Sequence, residues 1–178
     1  MTTFEQAFGI VIGHEGGFDT THDDPGNWTE GAVGKGILKG TAWGISAASY
    51  PNLAISVLTQ GDAELIYRRD YWDRTHADTL PPPLALLVFD AAVNNGVGRA
   101  VRWLQSAVGT IPDGQIGPVT SSAIEVTVKR IGGAALCAEY QAQRLAFMAS
   151  LPTWRVFGLG WARRLCQLPY QSMTMGAP

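Results

Sequence analysis

Between Leu84 and Val93 the chain reads Leu-Ala-Leu-Leu-Val-Phe-Asp-Ala-Ala-Val, apolar at every position but one. A helix without a polar face is stable only where other elements cover it on all sides. This segment therefore predicts a central buried helix with the rest of the protein wrapped around it. The exception, Asp90, stands four residues before Asn94 and so shares a face with it. Buried polar groups need partners, so a buried hydrogen-bond network is expected there. Asn94-Asn95-Gly96 interrupts the helix, and Arg99 to Val108 resumes it.

Helical spacing recurs elsewhere. Phe4, Ala7, Phe8, Val11 and Ile12 predict an N-terminal helix running to Glu15, stopped by Gly16-Gly17. Residues 18–45 are rich in Gly, Asp, Thr and Asn and predict loops with a small hairpin. Ser46 to Tyr50 reads as one helical turn before Pro51. Thr59-x-x-Asp62 reads as a capping box opening a helix through Trp72. The run from Asp78 to Pro83 predicts a rigid connector, and Pro112-Asp113-Gly114 a turn. Further helices are expected over 118–131, 133–150 and 154–168, the last ending before Pro169. Trp154, Phe157 and Trp161 in the last are expected to form a packing stripe. The expected fold class is α+β, mostly α, with a small β element near the N-terminus.

Charge divides the chain. Residues 1–95 hold five Lys/Arg against twelve Asp/Glu, and residues 96–178 hold eight against three. The contrast suggests different partners for the two parts. Without a dense basic patch, and with a pI of about 5.9, nucleic acid is not expected as a partner. No apolar run approaches the roughly 20 residues of a membrane span, so stable membrane insertion is not expected. The first residues lack a basic stretch leading into an apolar core, so no signal peptide is expected. Cys137 and Cys166 are expected to be free, buried thiols.

Several chemistries lack their residues. His14, His22 and His76 have no metal-ligand spacing with one another or with the cysteines, so no metal or cofactor is expected. No Gly-x-Ser-x-Gly appears, and Gly31-Ala-Val-Gly-Lys-Gly36 lacks the Gly-Lys-Ser/Thr ending of a phosphate loop. What remains is paired carboxylates. Glu15 stands against apolar packing, where desolvation would raise its pKa and keep it a proton donor. An acidic, turn-forming stretch with Asp23 and Asp24 follows, far enough along for the chain to reverse. An acid and a second carboxylate holding water are what inverting glycoside hydrolysis needs. Glu30 is the rival second carboxylate.

His14-Glu15-Gly-Gly-Phe18, Asp24-Pro-Gly26 and Gly40-Thr-Ala-Trp-Gly-Ile-Ser46 together resemble glycoside hydrolase family 108. These are peptidoglycan muramidases found as endolysins of tailed phages and prophages. The resemblance continues through Tyr67-Arg-Arg-Asp-Tyr-Trp72 and Phe89-Asp-Ala-Ala-Val-Asn-Asn-Gly96. Trp103-Leu-Gln105 and Asp113-Gly-Gln-Ile-Gly-Pro-Val-Thr120 resemble the peptidoglycan-binding region often joined to that unit, and Phe157-Gly-Leu-Gly-Trp-Ala-Arg-Arg164 resembles the family's end.

The resemblance implies a lysozyme-like fold, with a helical C-terminal lobe and the N-terminal β element around a cleft. It implies residues 1–95 as the catalytic region and 96–178 as a closely packed peptidoglycan-binding-like region. Glu15 would be the catalytic acid, with Asp24 and a downstream threonine orienting water. The family's compact pattern is broken here by the insertion Asn27 to Lys39, so Thr29 and Thr41 compete. Thr41 keeps the order of the motif and is preferred. Tyr71, Trp72, Asn94 and Asn95 are candidate sugar contacts, and Arg163 and Arg164 candidate contacts to anionic envelope polymers. The implied partner is the glycan strand of peptidoglycan, met by a monomer made in the bacterial cytoplasm and released by a holin-type route. A lytic transglycosylase and a non-catalytic wall-binding protein are the rival readings.

Overall fold

The computed structural model describes residues 3–13, 17–172 and 175. Among them are seven α-helices and one two-stranded antiparallel sheet. The chain divides into two compact units, one spanning Phe8–Arg68 and the other formed by the residues before and after it.

The larger unit is built on α3, Pro82–Asn95, the expected central helix. Every side chain from Leu84 to Ala92 is buried. The helix starts two residues earlier than expected, because Pro82 and Pro83 belong to its first turn, where a missing N–H costs nothing. Gly96, at φ +88°, ends α3 and leads directly into α4, Val97–Val108. Then follow α5, Pro118–Ile131, α6, Gly133–Ala149, and α7, Trp154–Ser172. The helices α4, α6 and α7 pack on α3, while α5 packs on α4 and α6. Phe4, Trp72 and Phe89 meet edge to face at centroid distances of 5.4–5.9 Å.

Two polar clusters organise this apolar assembly. Gln105 on α4 is buried, and its Nε2 faces Asp113 Oδ1 at 2.7 Å, the Gln115 carbonyl at 3.0 Å and Thr120 Oγ1 at 3.2 Å. Its Oε1 accepts from Gly114 N at 2.8 Å, so one side chain ties the 113–115 turn to the start of α5. The second cluster surrounds Asp90, which has no exposed surface. Arg144 Nη1 of α6 donates to Asp90 Oδ2 at 2.6 Å, and Arg164 of α7 donates to Oδ1 through Nε at 2.8 Å and through Nη2. Asn94 Nδ2 donates to the Asp90 carbonyl at 2.8 Å, and Arg144 Nε to Asn95 Oδ1 at 3.0 Å. The network expected from the Asp90–Asn94 spacing is present.

Several boundaries differ from the sequence expectation. The first helix, α1, covers Thr3–Ile12 and ends at Gly13, whose φ of +69° turns the chain out of the helix before Gly16-Gly17 is reached. Ser46 to Tyr50 is a hydrogen-bonded turn. The last helix runs through Pro169 to Ser172. Proline removes the N–H that would bond the Leu165 carbonyl, and Gln141 Nε2 of α6 donates to that carbonyl instead, at 3.2 Å. Cys137 is buried, and burial pushes its thiol up to about 11; Cys166, expected inside, lies exposed on the outer side of α7.

In the smaller unit, β1, Thr41–Ala42, pairs with β2, Ile45–Ser46, in the register Thr41↔Ser46 and Ala42↔Ile45. The connecting Trp43-Gly44 has positive φ at both residues, as a primed hairpin turn requires. Trp43 is held there by its own indole, which donates to the Leu58 carbonyl at 3.0 Å, and by Tyr67 Oη, which donates to its carbonyl at 3.2 Å. A Cβ on Gly44 would lie 2.6 Å from Tyr67 Oη. The helix α2, Gln60–Tyr67, opens with the expected capping box between Thr59 and Asp62, and Arg68–Trp72 continues it as a π-helical turn.

Replacing Asp90 with alanine leaves the buried Arg144 guanidinium uncompensated, and a cost of about 3–5 kcal/mol in urea unfolding is expected. A loss under about 1 kcal/mol would contradict the role given to this cluster.

Candidate active site

The carboxylates of the acidic loop are sorted by one buried residue, Asn27. Every polar group it has is engaged. Its Nδ2 donates to Asp19 Oδ2 at 2.9 Å and to the Thr21 carbonyl at 3.0 Å, and its Oδ1 accepts from Thr41 Oγ1 at 2.7 Å. Its N–H donates to the Asp24 carbonyl, and its own carbonyl accepts from Lys39 and Gly40 at 3.0 Å each. Asp24 caps the short 3-10 helix Pro25–Asn27 and its Oδ1 accepts from Gly26 N at 2.8 Å. The Asp24 turn and the Thr41 strand are thus both anchored on Asn27.

Asp19 completes the frame. It exchanges two backbone hydrogen bonds of 2.8 Å with Thr41, and its Oδ1 accepts from the Thr21 hydroxyl at 2.7 Å. The Asn27 amide first, and then the Thr21 hydroxyl, hold the Asp19 carboxyl below its usual 3.8. A carboxylate so held is a weak base with both oxygens occupied. Asp24 differs, because Oδ2 has no hydrogen bond among the described residues. The chain passes Asp19 closely at Gly40, where a Cβ would lie 2.4 Å from the Asp19 carbonyl.

The other candidates fall as follows. Glu15 and His14 lie outside the described residues. Asp23 is exposed and its Oδ1 lies 3.2 Å from His22 Nδ1. Thr29 Oγ1 accepts from Ile37 N at 2.9 Å, closing the base of the inserted loop, while Glu30 is exposed. Trp72 is wholly buried against Phe4 and Phe89, and its Nε1 donates to Asp78 Oδ1 at 2.9 Å. A ring without exposed surface cannot stack on a sugar, so that expectation is corrected and the role of Trp72 is packing. Tyr71 is half-buried. Asn94 is exposed and Asn95 half-buried, both bonded within the Asp90 cluster. Arg164 is spent on Asp90, so it is not a free contact for envelope polymers as the sequence suggested. Among the described residues no group of three His, Cys, Asp or Glu could hold a metal ion.

Asn27 was missed at the sequence level. Asp24-Pro-Gly26 reads as a self-contained turn, and the residue after it looks like the start of an insertion. Its partners stand 8 and 14 residues away, at Asp19 and Thr41.

The fold and this loop define a lysozyme-like α+β protein, mostly helical, with its polar frame on the small hairpin. The family profile described as Glycosyl hydrolase 108 matches residues 8–96, and the chain belongs to that family. A second profile, described as Predicted Peptidoglycan domain, matches residues 99–166. Among solved structures, SagA from Brucella abortus is similar, with 29% identity over 99% of this chain and 97% of that one and a TM-score of 0.77. The search of curated proteins found no match. The two profiles together support a lysozyme-like role in peptidoglycan hydrolysis.

Asn27→Ala strands the hydroxyl of Thr41 and frees Asp19, and should cost about 2–3 kcal/mol in urea unfolding. The depressed Asp19 carboxyl stabilises the fold above its ordinary pKa of 3.8, and that contribution is lost as pH falls through the lower folded value. Asp19→Asn should therefore be less stable than the parent at neutral pH, with the gap closing in thermal melts below about pH 4. A gap that widened with acid would reverse the assignment.

Proposed function

We propose that the protein is an N-acetylmuramidase, an endolysin-type lysozyme that hydrolyses the β-1,4 bond between N-acetylmuramic acid and N-acetylglucosamine in peptidoglycan. Glu15 protonates the glycosidic oxygen as positive charge builds at the anomeric carbon. Asp24, as general base, takes a proton from water on the opposite face of the sugar. Water attacks the anomeric carbon directly, so configuration inverts and no covalent intermediate forms.

The observation that carries this reading is the direction of the Thr41 hydrogen bond. Its hydroxyl proton is committed to Asn27 Oδ1, so toward substrate Thr41 offers only oxygen lone pairs. A water donating one hydrogen to Thr41 Oγ1 and the other to Asp24 Oδ2 keeps its own lone pair for attack. Asp19 is left out of this chemistry because both its oxygens are occupied within the loop.

Residues 1–95 are read as the catalytic region and 96–178 as the part that engages the wall, with Tyr71, Asn94 and Asn95 as candidate sugar contacts. The protein works as a monomer without cofactor. It meets the wall after release from the cytoplasm by a holin-type route.

Glu15→Gln keeps the shape of the side chain but cannot donate the proton. Its turbidity clearance of purified walls should fall at least about a hundredfold, the low end of the effect of losing a general acid, with an unchanged circular dichroism melt. Thr41→Val and Asp24→Asn should each lose activity in the same assay. Near-parental lysis by Glu15→Gln would remove Glu15 from its role.

A further inference from the structure

The outer side of α7 is apolar and uncovered. Val156 is 74% exposed, Leu159 81% and Tyr170 73%. With Arg163, also exposed, they follow at intervals of three, four and seven residues, which places all four on one helix face. Phe157, 54% exposed, lies on another side of the helix, with its ring 5.9 Å from that of half-buried Trp161. Trp161 in turn lies 6.1 Å from half-buried Trp154. The three rings do pack on one another, as expected, but at the surface. Clustered apolar exposure of this kind marks an interaction surface.

Its charge has one sign. The helix carries Arg155, Arg163 and Arg164 with no acidic residue, and Glu139 is the last Asp or Glu in the chain. Arg164 turns inward to Asp90, while Arg155 and Arg163 stand exposed.

These features select among possible occupants. A two-fold pairing of the face with itself would set Arg163 near Arg163 with no carboxylate on either helix. A glycan strand stacks on aromatic rings but gains little from Val156 and Leu159. An anionic bilayer meets every part of this face: the acyl boundary takes valine and leucine, the headgroup level takes tyrosine, and lipid phosphates pair with arginine. We propose that α7 lies in the plane of an anionic phospholipid membrane and docks the protein there through Val156, Leu159, Arg163 and Tyr170. No helix among the described residues is long and apolar enough to cross a membrane, so the association is peripheral. It does not depend on the hydrolytic reading.

The test is flotation of the full chain with equimolar phosphatidylglycerol–phosphatidylcholine vesicles, beside vesicles of phosphatidylcholine alone. Binding to the anionic vesicles is expected, weaker at high salt and much weaker without phosphatidylglycerol. Arg163→Gln should lose about fivefold in partitioning, the effect of one basic residue near such a surface. The double variant Val156→Glu, Leu159→Glu should lose about tenfold or more, with its thermal melt unchanged. Three outcomes would overturn the proposal. These are no flotation with anionic vesicles, equal flotation by the double variant, or a concentration-dependent dimer in sedimentation that the double variant abolishes.

Discussion

The Asp90 carboxylate is the constraint on which the helical unit depends. It stands in a helix that is otherwise apolar, so the chain has to bring cations to it or leave a charge stranded in low dielectric. Arg144 and Arg164 answer from two different helices, and both reach the same carboxylate. Hydrophobic burial alone would let α6 and α7 slide over α3, since apolar contact has no preferred register. A bidentate demand at one point removes that freedom. Because Asp90 lies within the segment matched as glycosyl hydrolase and its arginines within the segment matched as a peptidoglycan domain, the ion cluster joins the last helix of the first segment to two helices of the second inside the larger unit.

The smaller unit uses the same logic with neutral groups. It has little apolar mass to set the shape of its long loop, and Asn27 supplies that shape by satisfying groups from Asp19, Thr21 and Thr41 at once. The consequence is chemical as well as structural. By accepting a hydrogen bond from Thr41, Asn27 decides which face of that hydroxyl remains, and by occupying Asp19 it removes one carboxylate of the loop from the chemistry and leaves Asp24 Oδ2 without a hydrogen bond among the described residues.

How much of this was legible depended on how local each cause was. The buried helix, the capping box at Thr59 and the hairpin are written in patterns a few residues long, and the structure has them. The Asp90–Asn94 spacing revealed a network, though not its arginine partners 54 and 74 residues on. The end of α7 departs from the local expectation: Pro169 stops a helix by local rules, whereas here the bond it removes is replaced from α6 by Gln141. The sequence leaves Trp72 a candidate sugar contact or a core residue, because an aromatic ring in a polar motif looks the same whether it faces solvent or Phe89. Asn27 was invisible for the same reason: its partners are near only after the loop has closed. Glu15, the residue most prominent in the sequence, lies outside the described residues, so its role rests on its motif and on the frame that follows it.

Mass spectrometry of the fragments released from purified peptidoglycan tests the central claim most directly. A water held between Asp24 and Thr41 predicts fragments with reducing N-acetylmuramic acid ends, each heavier by one water than its cyclised counterpart. Anhydro ends would mean that the sugar's own 6-hydroxyl attacks and that no such water is used. Free stem peptides would contradict glycoside chemistry altogether.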